Sequence, residues 1–293
     1  MKPAPFTYHR PCTVDEAVQR LDELDGAGKV LAGGQSLVPL LSMRLAAPEH
    51  LVDINGLTEL DSVEVAPGQV RVGATARQAR VERDPAVRAA VPLLGQALAQ
   101  VAHPTIRNRG TVVGSLVHAD PASELPAVLL LLDGVVEVRT ASGRREVAAT
   151  DMFLGPMSSA VGAGELATAA RFPVPAPHSG TSFVEVSRRH GDFALCGVAA
   201  LVVTDPAGAI TSARAALVGV APTAVLVDLT PAVHGTGGGL DARSRDALVE
   251  AAIDPETDIH ASADYRRQLA RVLTARAVDE AALRATAAGG ASR

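Results

Sequence analysis

The 293-residue chain has no tryptophan, two tyrosines and five phenylalanines, an aromatic content of 2%. Its core must therefore be packed from Ala, Val and Leu. A planar cofactor ring would find few aromatic neighbours beyond Phe6, Tyr8, Phe153, Phe172, Phe183, Phe193 and Tyr265. The two cysteines, Cys12 and Cys196, are too few for an iron-sulfur cluster, a four-Cys zinc site or a disulfide framework, and there is no CxxC. The eight histidines show neither HxxxH nor HExxH spacing, so no metal site is expected on this chain. A GxSxG elbow is also missing, which leaves hydrolase chemistry unsupported. The net charge of -5 includes no basic stripe with interleaved aromatics, which argues against a nucleic-acid surface. No apolar run approaches the ~20 residues of a membrane span, and no charged start precedes a long apolar segment. The expectation is a cytoplasmic protein.

What is present is a folded chain with 47% hydrophobic and 20% charged residues, long enough for two domains. Two glycine-bearing turns organise it. The first is Leu31-Ala32-Gly33-Gly34-Gln35-Ser36-Leu37 and the second is Gly110-Thr111-Val112-Val113-Gly114-Ser115-Leu116. Each combines glycines, which let backbone N–H groups approach anionic oxygens, with hydroxyl donors at Ser36, Thr111 and Ser115. One such turn alone is more often a tight turn than a site. The first lacks the GxGxxG spacing of a Rossmann site. Arg107 and Arg109 flank the second, placed either to neutralise a diphosphate or to pair with Asp120 or Glu124.

Phe6 to His9 reads as a strand, and Thr13 to Glu16 has capping-box spacing ahead of an amphipathic helix through Val14, Ala17, Val18, Leu21 and Leu24. A strand then enters the first glycine turn, with Ser36 placed to cap the helix after it, and His50 to Ile54 is another strand. These elements form a lobe of about residues 1–55. Hairpins are expected around Pro67-Gly68 and Ser142-Gly143, with helices from Thr75 to Val101 broken at Pro85 and Pro92. His103-Pro104 predicts an extended approach to the second turn. The helix beyond Glu124 carries Leu129 to Leu132 and is apolar all round, so it should be buried. Asp120 and Glu124 either favour that helix's dipole or accept hydrogen bonds from sugar hydroxyls. Pro173 to Pro177 has linker composition. Beyond it, three strand candidates (Ser182–Arg188, Ala194–Thr204, Ile210–Val220) predict an antiparallel meander, followed by helices from about Asp241 and Ser262 and a frayed tail after Ala285. Gly235 to Gly239 lacks the Lys-Ser/Thr of a P-loop and reads as a flexible turn.

The segments FTYHRP, LAGGQSLVPLLSMRLAAPEHLVDIN, AHPTIRNRGTVVGSLVHADPASELPAVLLLLDG and SRRHGDFALCGVAAL occur in order, from the N-terminus to about the last helix. In this the chain resembles the FAD-binding medium subunits of the molybdenum hydroxylases, the xanthine dehydrogenase and aerobic carbon monoxide dehydrogenase family. The resemblance implies an α+β fold. Residues 1–176 would form an FAD-binding domain of two α/β lobes (about 1–55 and 56–176) of the vanillyl-alcohol-oxidase or PCMH type. Residues 177–286 would form a small domain with a three-stranded antiparallel sheet and helices, and 287–293 a tail.

It further implies that Ala32, Gly33, Gly34, Gln35, Ser36 and Leu37, with Thr111, Val112, Val113, Gly114 and Ser115, clamp the FAD diphosphate and ribityl chain. Thr111 would bind phosphate, Glu124 would bind cofactor hydroxyls, and Arg188 would reach the flavin from the second domain. No catalytic residue is expected on this chain. Partners would be a small subunit with 2Fe-2S clusters and a large subunit with the molybdenum cofactor, assembled as a dimer of heterotrimers. Electrons would pass through the flavin to an external acceptor. Carbon monoxide, N-heterocycles or purines, and aldehydes are candidate substrates, with AGGQS and SRRHGDFA closer to the heterocycle and purine enzymes. Two positions depart from the family pattern: Val113-Gly114 stands where the family has a Gly-Gly pair, so Val113 replaces its first glycine, and Glu124 replaces an aspartate. Val113 keeps open a non-catalytic assembly protein that has lost its flavin; a stand-alone flavin oxidoreductase is the other alternative.

Overall fold

A computed structural model describes residues 2–233 and 239–290. The Gly235–Gly239 run lies, except for Gly239, outside the described residues.

The first lobe is a parallel three-stranded sheet. Its strands are β1 (Thr7–His9), β2 (Gly28–Leu31) and β3 (His50–Asp53), in the order β1-β3-β2. Helix α1 (Val14–Glu23) starts where the capping pattern placed it. Thr13 Oγ1 accepts from the Glu16 N–H at 3.1 Å, and the Glu16 carboxylate accepts from the Cys12 N–H at 2.7 Å. Its buried face is Val14, Ala17, Val18 and Leu21. Helix α2 (Leu37–Ser42) follows the first glycine turn, but the Ser36 side chain makes no capping bond. Ser36 is itself in a helical conformation, and the turn is closed by the Val38 N–H donating to the Gly34 carbonyl at 3.0 Å.

The second lobe has a five-stranded antiparallel sheet, ordered β4-β5-β10-β6-β7. Strands β4 (Val63–Ala66) and β5 (Gln69–Gly73) are the first expected hairpin. Between them and the next strand come α3 (Gln78–Arg83), α4 (Pro85–Ala90), α5 (Pro92–Leu98), α6 (Pro104–Arg107), α7 (Val112–His118) and α8 (Glu124–Leu131). Pro85 and Pro92 each open a new helix, as a residue without an N–H does at the first helical position. His103 is extended as expected, and Pro104 then begins the single turn of α6. Every residue of α8 is buried. Strands β6 (Val135–Thr140) and β7 (Gly143–Ala148) make the second hairpin, followed by α9 (Ala149–Met152), the small pair β8 (Phe153–Gly155) and β9 (Ser158–Ser159), and β10 (Leu166–Pro173).

The third sheet is antiparallel, with β11 (Ser179–Ser187), β12 (Ala194–Thr204) and β13 (Ile210–Val218) in sequential order. A fourth strand, β14 (Val225–Asp228), joins the three expected ones. At four residues it is too short for side-chain alternation to mark it. Helix α8 packs on β12 and β13, while α10 (Ala242–Ala252) and α11 (Ala263–Gly290) complete the second domain. Helix α11 runs through the stretch that composition reads as a frayed tail. Its buried residues Ala270, Leu273, Ala277, Ala281 and Ala285 recur every three or four positions. At Gly180 of β11 an added Cβ would sit 2.0 Å from the Ala281 carbonyl oxygen, so strand and helix touch backbone to backbone.

Candidate dinucleotide site between two glycine loops

The two glycine turns, 77 residues apart in the sequence, are in contact. A Cβ on Gly33 would stand 2.4 Å from the Arg109 carbonyl oxygen and 2.8 Å from the Gly110 Cα. Gly110 is equally confined, since a Cβ there would meet Gln78 Oε1 at 2.6 Å. Gly34 has φ +72°, a conformation that L side chains rarely adopt. The loops therefore need glycine both for close approach and for conformation.

The second loop is tighter than a plain turn. Thr111 is the N-cap of α7: its Oγ1 accepts from the Gly114 N–H at 3.0 Å, and a Cβ on Gly114 would fall 2.6 Å from that oxygen. Val112, Val113, Gly114 and Ser115 thus lie in a helix, which the reading of this segment as a loop missed. Val113 has no positive φ, and its side chain is 2% exposed in the core. This backbone does not require a glycine at position 113, and Val113 gives no reason to infer a lost cofactor.

Among the described residues, the backbone N–H groups of Gly34, Gln35, Ser36 and Val113 find no acceptor within the chain. Donors left free beside a helix start are what an anionic ligand needs. The Gln35 side chain turns inward and donates to the Gly33 carbonyl at 3.1 Å. Ser115 Oγ lies 2.8 Å from Ser123 Oγ, which ties α7 to the residue before Glu124.

Glu124 is 6% exposed at the first position of α8. Burial pushes its carboxyl up to about 7, with the Asp120 charge acting the same way and its own backbone N–H and Arg107 opposing. A carboxyl poised there can either accept or donate a hydrogen bond to a ligand hydroxyl. Arg107 does not pair with it. Its guanidinium is bound to the Glu82 carboxylate at 2.9 Å and to the carbonyls of Val101 and Ala102, so it is spent on structure. Arg109 is exposed, and its side chain makes no ion pair among the described residues.

Arg188 stands in the second domain on an exposed turn, where its guanidinium lies 3.4 Å from His260 Nδ1. That turn meets the first domain at Gly191 (φ +86°), whose added Cβ would touch the His103 ring at 2.9 Å. The glycine loops, Thr111 and Glu124 are thus gathered by the fold, whereas Arg188 is held at the domain junction. A further carboxyl of the second domain, Glu185 on β11, has a buried Oε2 without a hydrogen-bond partner. Burial raises it to about 8, with Glu124 as the like charge acting on it.

Three residues that hold the loops together were not singled out from the sequence. Arg77 donates to the Arg109 carbonyl at 2.7 Å and to Asn55 Oδ1 at 2.6 Å. Asn55 in turn donates to the Ala32 carbonyl at 2.8 Å, and the Gln78 N–H donates to the Gly110 carbonyl at 2.9 Å. All lie at the ends of elements, where no periodicity marks them.

Fold and loops together define a flavoprotein domain: a cradle of free backbone donors between two lobes, followed by a second domain that packs against it through α8. The family described as the FAD binding domain in molybdopterin dehydrogenase matches residues 4–175, and the CO dehydrogenase flavoprotein C-terminal domain matches residues 181–281. The chain belongs to the FAD-binding medium-subunit family of the molybdenum hydroxylases, and it is an oxidoreductase subunit. It is 37% identical to the 6-hydroxypseudooxynicotine dehydrogenase complex subunit alpha of Paenarthrobacter nicotinovorans, over 97% of each chain. Among solved structures it resembles a carbon monoxide dehydrogenase from Hydrogenophaga pseudoflava, with a TM-score of 0.92 and 33% identity over 97% of this chain and 99% of that one. It is also similar to quinoline 2-oxidoreductase from Pseudomonas putida 86, with a TM-score of 0.88 and 37% identity over 97% and 99%. Among the described residues no helix is long and apolar enough to cross a membrane, and no group of three or more His, Cys, Asp or Glu is placed to hold a metal.

Proposed function

We propose that this chain is the electron-relaying subunit of a molybdenum hydroxylase heterotrimer. It takes electrons from 2Fe-2S clusters on a small partner subunit and passes them to an external acceptor, while substrate is oxidised at molybdenum on a large one. The observation that carries the site is the seating of Gly33 on the backbone of Arg109 and Gly110, which makes one cradle of two loops. The residues fit a dinucleotide: free N–H groups at Gly34, Gln35, Ser36 and Val113 for diphosphate oxygens, and the buried Glu124 carboxyl for a hydroxyl.

When bound, FAD supplies a carrier that exchanges electrons singly or in pairs. The chain's own work is binding and placement. Residues 32–37 and 111–115 hold the diphosphate and the neighbouring chain, Glu124 orients hydroxyls, and Arg188 contributes charge from the second domain. The oxidised substrate is an N-heteroaromatic compound; two relatives at 37% identity have names of that chemistry, and the carbon monoxide dehydrogenase medium chains stand at 35% and 34%. The complex is a dimer of heterotrimers in the cytoplasm.

The test is purification of the tagged chain from its native host, with flavin, iron and molybdenum measured per chain and co-purifying proteins identified. FAD with iron, molybdenum and two partner chains is the expected result. Flavin without metals would instead indicate a stand-alone flavin enzyme, and absence of both would sink the electron-relay function.

A further inference from the structure

We propose that Arg77 and Asn55 form a latch that closes the two glycine loops on each other, so that the cradle exists before its ligand arrives. Arg77 is thus a positioning residue, and the inference rests on the FAD site proposed above.

The latch is a continuous chain of hydrogen bonds between the loops. It starts at the Ala32 carbonyl, which accepts from Asn55 Nδ2 at 2.8 Å. Asn55 Oδ1 then accepts from Arg77 Nη2 at 2.6 Å, and Arg77 Nη1 donates to the Arg109 carbonyl at 2.7 Å. Each member is held in place. The Asn55 amide also donates to Asp53 Oδ1 at 2.6 Å, and the same oxygen accepts the Asn55 backbone N–H at 2.9 Å. Arg77 is extended at the start of α3 (φ -74°, ψ 139°) and forms an isolated antiparallel bridge with Thr111. Its backbone is therefore fixed to the second loop while its side chain reaches the first lobe.

The choice of arginine is informative. Both acceptors of the guanidinium are neutral, one carbonyl and one amide oxygen, and its bonds include no carboxylate. Partial burial and the neighbouring Arg109 lower its pKa, with Asp61 and Asp53 only opposing this at a distance. A cation placed so is not there for an ion pair. What a guanidinium offers that a lysine does not is a rigid planar fork able to bridge two acceptors. Between the bridged carbonyls, Gly33 lies in van der Waals contact with the opposite backbone, and an opening of even a side-chain methyl's width would break that contact. Without the latch, the ligand would have to order two loops before it could use their donors.

The test is a fluorescence titration of the flavin-depleted full chain with FAD, for wild type, Arg77→Ala, Arg77→Lys, Asn55→Ala, the Arg77→Ala/Asn55→Ala double variant and Arg80→Ala. Arg80 lies on the same helix with an exposed ion pair to Asp61 at 2.9 Å and serves as the control. Arg77→Ala and Asn55→Ala should each weaken FAD binding by about tenfold or more, as loss of a hydrogen bond to a charged group does. The double variant should be no weaker than the poorer single one, because both cut the same chain. Arg77→Lys should lose as much as Arg77→Ala, and Arg80→Ala should stay within about twofold of wild type. Wild-type affinity in Arg77→Lys would overturn the latch, because charge alone would then suffice. Additive losses in the double variant, or an equal loss in Arg80→Ala, would also overturn it. A wild-type chain that binds no FAD would remove the site itself, an outcome distinct from a wild type that binds and variants that bind equally well.

Discussion

Gly33 and Val113 are both glycine-loop positions in the sequence, and the structure gives them opposite duties. Gly33 faces the other loop with no space for a side chain, so Gly33→Ala forces the loops apart. That substitution should destabilise the chain by about 1–3 kcal/mol, as overpacking does, and weaken FAD binding as well. Urea unfolding alongside a flavin titration would check this, and an unchanged affinity would show that the loops act separately. Val113 instead fills the core from the first turn of α7. Val113→Gly should cost about 2–4 kcal/mol from lost burial and added backbone freedom, with no gain in FAD affinity. A tighter-binding glycine variant would mean that the family's glycine at this position serves the ligand after all.

At the scale of elements, α8 is the piece on which the site and the domain junction meet. Its N-terminus carries Glu124 beside the second loop, and its buried length packs on the second domain. The sequence marked it as buried, because a helix apolar all round has no face to give to water. It did not mark Glu185, whose β11 neighbours are ordinary strand residues and whose proximity to Glu124 arises only when the domains pack. Both carboxyls are raised, to about 7 and about 8, chiefly by burial. The folded state therefore binds protons that the unfolded state has already released. This contribution to stability is complete below the ordinary carboxyl pKa of about 4.3 and is lost as pH rises through about 7 to 8. Thermal melts across that range should show a Tm that falls with rising pH, and Glu185→Gln should flatten the upper part of the fall. A Glu185→Gln profile that follows wild type would assign the slope to other groups.

For the whole molecule, the two domains are joined by polar bonds around that apolar junction. The Gly219 N–H donates to the Pro121 carbonyl at 2.8 Å, three residues before Glu124, and Arg214 donates to the Leu131 carbonyl and the Asp133 carboxylate, both at 2.9 Å. Arg266 of α11 donates to the Leu195 and Gly219 carbonyls at 2.6 and 2.8 Å, so the last helix supports the strand ends nearest the site. That helix is seated by Gly180. Gly180→Ala would place a methyl in the Ala281 backbone and should lower stability by about 1–3 kcal/mol or more, read by denaturant midpoint. Because the displaced helix carries Arg266, flavin retention should fall with it. Stability lost with flavin fully retained would separate the helix from the site.

The sequence by itself determined the elements whose signal is local. Capping at Thr13, the helix breaks at Pro85 and Pro92, the hairpins at Pro67-Gly68 and Ser142-Gly143, and the buried α8 all follow from side-chain period and backbone chemistry within a few residues. The order of the glycine turns was legible too, and with it the family. Tertiary structure decided what depends on packing across many residues. It made Gly33 a contact, Val113 a core residue in a helix, Arg107 a structural ion pair and Arg77 a bridge, and it added β14 to the sheet. None of these has a periodic signature, because each is set by the distance to a partner in another segment, which only the folded chain fixes.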